Sequence, residues 1–153
     1  MKSDLRETEH LVENIEKRLE RRLNSQVRNA FLQVPRHLFT EHYYRQQGNY
    51  LVWVWVRIAT PVPEDIYCDE ALVTKIDEWG HPISSSSQPG VMARQLEALD
   101  LRPGLSVLEI GTGTGYNAAL IGALVGSTGQ IISIDIDQEL ITTAIKNLSE
   151  VKL

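Results

Sequence analysis

The chain is poor in cysteine, has no surplus of basic charge and lacks a long apolar run. Cys68 is the single cysteine. It cannot close an internal disulfide, which suits a reducing compartment, and it reads as a small buried hydrophobe. Lys and Arg number 15 against 20 Asp and Glu, for a net charge of −5. Nucleic-acid interfaces neutralise phosphates with excess Lys and Arg, so no such partner is expected. The basic cluster Lys17, Arg18, Arg21 and Arg22 is interleaved with Glu13, Glu16 and Glu20 and reads as a solvated helix face. The longest apolar stretch, Tyr50 to Val56, is far too short to cross a bilayer. The opening residues, Met1 to Glu7, are charged and lack the apolar region of a signal peptide. A cytoplasmic protein with no membrane partner is therefore expected. His37 and His42 have no Cys or acidic residue spaced to complete a metal set, so no metal is expected.

What is present is a glycine-rich bend. The apolar run Leu105 to Ile110 reads as a buried strand and breaks into Gly111, Gly113 and Gly115 at alternate positions. The segment from Tyr116 to Ile121 can continue as a helix. Such a bend brings bare backbone amides close to a ligand, with no Cβ in the way. A second apolar run, Ile131 to Ile134, ends at Asp135, about twenty residues after Gly115. An acid there in a strand–helix–strand unit can accept hydrogen bonds from both hydroxyls of a ribose, with Asp137 a nearby alternative.

The length predicts one domain. Apolar residues at Val12, Ile15, Leu19, Leu23, Val27, Ala30 and Phe31 predict a helix from residue 4 to about 32, ended by Pro35. An aromatic connector, Phe39 to Tyr44, precedes an alternating strand from Leu51 to Ile58. That alternation puts Trp53, Trp55 and Arg57 on one face. Packing is the simpler role for the two tryptophans, and a peptide-gripping surface the sharper one. Thr60 to Asp65 reads as a loop and Asp77 to Pro82 as a polar linker. The serine run Ser84 to Ser87 leads into a short helix, Val91 to Leu99, whose first turn can hold Pro89. Ser86 or Ser87 can cap that helix. A last helix is expected from Gln138 to Leu148.

Several of these stretches, in this order, resemble one family. They are Val34 to Phe39, Tyr67 to Glu70, Ile83 to Pro89, the glycine bend with Tyr116, and Ser133 to Asp135. The set is similar to the protein-L-isoaspartate O-methyltransferases, from about residue 23 to the chain's end. The resemblance implies an α/β fold with a Rossmann-like class I methyltransferase sheet. It implies S-adenosyl-L-methionine as cofactor, with Glu109, Gly111, Thr112, Gly113, Gly115 and Asp135 around it. Ser87 matches the family's substrate-contacting serine and would steer a carboxylate toward the methyl group. The implied reaction is methyl transfer to L-isoaspartyl residues of a protein or peptide. A carboxylate with a pKa near about 4 is already ionised at neutral pH, so no general base is needed.

The match has three departures. Arg45 to Glu64 is longer and more aromatic than the family pattern, and Asp135 stands where Glu is commoner. The family's later strands also have no counterpart here. The sheet is expected to stop after its second strand and the following helix. Residues 1–83 form a helical and β-rich extension, and residues 84–153 a partial cofactor-binding domain. Unless Leu51 to Ile58 covers it, the first strand would show an open edge that invites self-association or a completing chain. Two other readings stay open. One is a catalytically silent cofactor-binding module or partner subunit. The other is a relative that methylates aspartate in a ribosomally made peptide.

Overall fold

The computed structural model describes residues 2–49 and 52–151. Two helices, α1 (Lys2–Leu19) and α2 (Ser25–Gln33), open the chain. They correct the expectation of one helix from residue 4 to 32. The chain turns at Glu20, which has φ 53. Asn24 then starts α2 by accepting the Val27 amide at 2.8 Å. The apolar spacing carries through the bend because both helices face the same core. Glu16 is also not solvated. Its buried carboxylate accepts the Leu23 amide at 3.1 Å and an Arg22 guanidinium N–H at 2.5 Å, which holds the corner.

A 3-10 turn (Arg36–Phe39) leads into an antiparallel sheet of β1 (Tyr43–Gly48), β2 (Trp53–Ile58), β3 (Leu72–Ile76) and β4 (Pro82–Ser86). The strand order is β2-β1-β3-β4. A single turn of helix, α3 (Pro63–Ile66), lies between β2 and β3 and overlaps the end of the expected loop. Strand β1 had no sequence signal, since its residues after Tyr44 are Arg, Gln, Gln and Gly. It forms because β2 pairs along its full length, from Tyr43↔Ile58 to Gly48↔Trp53. That register keeps Trp53, Trp55 and Arg57 on one side, as the alternation predicted. Tyr50 and Leu51, at the start of the expected strand, lie outside the described residues. The polar linker is the β3–β4 turn, where Asp77 accepts the Trp79 and His81 amides at 3.0 and 2.7 Å.

The remaining elements are α4 (Pro89–Ala98), β5 (Ser106–Ile110), α5 (Tyr116–Val125), β6 (Gln130–Ile134) and α6 (Gln138–Glu150). Strands β5 and β6 run parallel, from Ser106↔Gln130 to Ile110↔Ile134. One apolar core joins α1, α2, α4 and α5 through Leu11, Val12, Ile15, Phe31, Leu96, Tyr116 and Leu120. It draws on residues from both sides of residue 84. Among the described residues no helix is long and apolar enough to cross a membrane.

Leu105 to Ile110 was expected to be buried. Instead only one side of β5 is covered, by the helices. On the other side Leu108 is 61% exposed and Ile110 80% exposed, beside Ile132 and Ile134 of β6. Among the described residues nothing lies on that face. Strand β2 does not cover the β5 edge either, because it sits beyond β1 in the other sheet.

Candidate functional site

The site is assembled where β5 ends. Alternation turns Glu109 inward, and the carboxylate is almost fully buried. Asn117 of α5 donates to one of its oxygens at 2.7 Å. The Ser133 hydroxyl of β6 donates to the other. Thr112 meets that same hydroxyl at 2.7 Å. Glu109 is therefore fixed from two neighbouring elements and keeps lone pairs free for a cation.

The bend does not offer the bare amides expected of it. The Gly111 and Thr112 amides both donate to the Ile134 carbonyl, at 2.8 and 3.1 Å. The Gly113 amide donates to Asp135 at 3.0 Å. A bend tied to the neighbouring strand satisfies its own donors, because unpaired amides at a half-buried strand end are costly. What the bend does offer is space. Gly111 has φ 93, and a Cβ built there would meet nothing within 4 Å. Gly115 serves packing instead. With φ 86, its Cβ position lies 3.2 Å from Ala144 Cβ and 3.3 Å from Leu148 Cγ of α6.

A cavity of about 190 Å³ opens between this bend and the serine strand. Ser85, Ser86 and Ser87 form one wall, and Met92 and Gln95 of α4 another. Glu109 and Gly111 to Thr114 close the third. Five of the expected site residues thus meet: Ser87, Glu109, Gly111, Thr112 and Gly113. Gly115 does not line the cavity, and Asp135 borders the bend at the Gly113 amide without lining it. Asp135 accepts the Asp137 amide at 3.1 Å through its second oxygen. Asp137 is committed elsewhere. It caps α6 by accepting the Glu139 and Leu140 amides at 2.9 and 3.3 Å, and it takes a Lys75 N–H at 2.6 Å. The Lys75 ammonium, first among the causes, holds the Asp137 carboxyl below its ordinary range.

The alternative reading, in which Ser86 or Ser87 caps α4, does not hold. Gln88 occupies the cap position and its side chain makes no capping bond. Asp69, remote in sequence, accepts the Gly90 amide at 2.6 Å and supplies the negative charge that a helix N-terminus favours. A Cβ on Gly90 would lie 2.9 Å from Asp69 Oδ2, so a larger residue there would have to displace the Asp69 carboxylate. The Ser87 side chain is left exposed at the cavity wall.

Arg36 carried no signal beyond its place in the Val34–Phe39 stretch, yet it organises this wall. It is fully buried. Its guanidinium donates to the carbonyls of Ile66, Cys68, Glu70 and Ser87 at 2.9 to 3.2 Å, and to Ser86 Oγ at 3.4 Å. Its carbon lies 5.9 Å from the Tyr116 ring centre. Burial pulls its pKa down, and nearby Tyr116, Cys68 and Asp69 push it back up. The cation fixes the backbone of the serine strand from behind. Cys68 is half-buried and donates its thiol to the Asp65 carbonyl at 2.9 Å. His37 Nδ1 lies 2.6 Å from the Tyr67 hydroxyl, as fits a packing role.

A parallel strand–helix–strand unit with a glycine bend, a buried acid before it and a second acid after the next strand is the arrangement shared by nucleoside-cofactor-binding α/β folds. The sequence profile of the protein-L-isoaspartate(D-aspartate) O-methyltransferase family matches residues 6–153. The chain belongs to that family. It is 37% identical over 127 residues to protein-L-isoaspartate O-methyltransferase 1 of Archaeoglobus fulgidus, covering 83% of this chain and 48% of that protein. The Pyrococcus horikoshii enzyme is 36% identical over 125 residues, covering 82% of this chain and 45% of that one. A solved protein-L-isoaspartate O-methyltransferase superposes with a TM-score of 0.70 at 30% identity, over 94% of this chain and 38% of its own. A Plasmodium falciparum structure with S-adenosyl-L-homocysteine bound shares the fold, with a TM-score of 0.66 at 20% identity, over 93% of this chain and 55% of its own. The chain spans about half the length of the curated relatives it matches.

Proposed function

We propose that this chain cradles S-adenosyl-L-methionine and presents a carboxylate acceptor, an L-isoaspartyl residue of a protein or peptide, for methylation. One observation carries the reading. The side-chain-free space at Gly111 and the exposed Ser87 hydroxyl face a single cavity that also holds the buried Glu109 carboxylate.

The residues present fit part of the cofactor. Glu109 has one donor on each oxygen and retains lone pairs for the cofactor's ammonium. Gly111 leaves room for its methionine chain. Each Asp135 oxygen also takes one backbone amide, which leaves acceptor capacity for a ribose diol. The cavity is smaller than the about 300–1,000 Å³ typical of a site that encloses a whole ligand of this size, so it takes part of the cofactor. When bound, the cofactor supplies an electrophilic methyl group on a sulfonium. The protein's part is positioning and exclusion of water. The Ser87 hydroxyl donates to one oxygen of the acceptor carboxylate and so aims the other. In this reading residues 84–153 hold the cofactor and residues 1–83 form the acceptor side, with the serine strand at the join. A reducing cytoplasm suits the lone thiol.

The test is calorimetric titration with S-adenosyl-L-homocysteine, then transfer of labelled methyl to an isoaspartyl peptide and its aspartyl isomer. Binding with transfer to the isoaspartyl form supports the proposal. A second reading has the chain binding cofactor only and needing another chain to complete the sheet. The exposed face of Leu108, Ile110, Ile132 and Ile134 favours it. Cofactor binding without transfer would select that reading, and absence of both would sink each.

A further inference from the structure

We propose that the free edge of β2 is a docking site for an extended acidic peptide, which pairs there as a fifth strand. The proposal rests on the reading above, in which the acceptor belongs to a polypeptide, and it adds where that polypeptide is held.

Strand β2 is an edge strand. Its sequence, Trp-Val-Trp-Val-Arg-Ile, is rich in β-branched and aromatic residues. Proteins usually blunt such edges with proline, charged side chains, a bulge or a covering element. Strand β2 has no proline and a single charge, Arg57 near its end, and its pairing with β1 runs through six successive residues without a bulge. Trp53 is 57% exposed and Val54 52% exposed. An uncovered row of backbone donors and acceptors beside apolar side chains is what strand addition uses. The main chain supplies affinity and alternate side chains supply selectivity.

Charge selects the occupant. The hairpin from Tyr43 to Ile58 carries Arg45 and Arg57 and no acid, within a chain of net charge −5. Arg45 is paired with Asp65. Arg57 is exposed and has no carboxylate partner among the described residues. A second copy of this chain, pairing β2 to β2, could not neutralise Arg57, because β2 contains no Asp or Glu. An acidic peptide does so.

The same sheet links the docking edge to the site. Strand β4, whose serines line the cavity, is the opposite edge strand. Three strand spacings separate the two edges, about 14 Å at about 4.8 Å each. A strand added outside β2 lies one spacing further out, about 19 Å from β4, and an extended chain rises about 3.4 Å per residue, so the acceptor residue lies at least about six residues from the paired segment.

The experiment uses the full chain and a fluorescent acidic peptide of about fifteen residues with one isoaspartyl residue near its end, read by anisotropy. Two backbone-methylated versions carry N-methyl groups at alternate positions, in the two possible phases. Strand addition requires one phase to weaken binding by at least about tenfold while the other stays within about twofold. Arg57→Glu, at an exposed position, weakens binding by at least about tenfold with an unchanged circular dichroism spectrum. A lysine-for-acid version of the peptide does not bind. Equal behaviour of the two phases overturns the proposal, as does indifference to Arg57→Glu. It is likewise overturned if sedimentation shows β2-mediated self-pairing that the peptide cannot displace. If docking fails while S-adenosyl-L-homocysteine binding and methyl transfer persist, only the docking edge is lost. If the alternating pattern appears without cofactor binding, the methyltransferase reading fails and the edge stands.

Discussion

The Gly113 amide donates to the Asp135 carboxylate at 3.0 Å, so the acid after the second strand braces the bend after the first. Asp135→Ala removes the brace and any ribose contact together. Affinity for S-adenosyl-L-homocysteine should fall at least tenfold, about 1.4 kcal/mol. Asp135→Asn keeps an acceptor for Gly113 but not the charge, and should lose less. Calorimetry on both variants checks the order. Equal, undiminished affinity would remove Asp135 from the site.

Arg36 ties the serine wall, through the Ser87 carbonyl and the Ser86 hydroxyl, to the carbonyls of Ile66, Cys68 and Glu70, without touching the bend. Arg36→Met strands several buried acceptors, each costing about 1–3 kcal/mol. The expected loss is at least about 3 kcal/mol, read as a shifted urea midpoint with the slope unchanged. A loss below about 1 kcal/mol would show that water replaces the guanidinium.

Gly115 is held by packing as well as by its backbone. A Cβ there meets Ala144 and Leu148 at 3.2 and 3.3 Å, at φ 86. Gly115→Ala should destabilise by about 1–3 kcal/mol, through left-handed strain plus displacement of α6. The double variant with Ala144→Gly should recover part of that loss. No recovery would assign the whole cost to the backbone.

Tyr43 gives a pH dependence. Burial, then its hydrogen bond to Asp65, raises the phenol from 10.0 to about 12. A raised folded-state pKa favours the protonated form. Its stabilisation is complete below pH 10 and is lost as the pH rises toward about 12. Tyr43→Phe should therefore reduce the decline in stability across that window relative to wild type. Parallel curves would show that the phenol contributes nothing to it.

The legible parts of this molecule were those where sequence pattern and tertiary structure agree. The meeting of Gly111, Glu109 and Ser87 around one cavity was readable because the stretches that carry them repeat a known motif order, and α6 because its apolar residues recur at helical spacing. The break between α1 and α2 was hidden, since apolar positions continue through Glu20 and the corner depends on the buried Glu16. Strand β1 was hidden because pairing with β2, not its own polar residues, makes it a strand. Arg36 and Asp69 act across long sequence separations, on carbonyls and an amide that no local pattern reveals. The amides of the glycine bend were misjudged because their partners, Ile134 and Asp135, lie on a different strand.

The central claim is that the space at Gly111 admits the cofactor. Titrating wild type and Gly111→Val with S-adenosyl-L-homocysteine tests it most directly, alongside urea unfolding to confirm that both are folded. Wild type should bind one equivalent and the folded valine variant none. Equal binding by both, or none by wild type, would contradict the account.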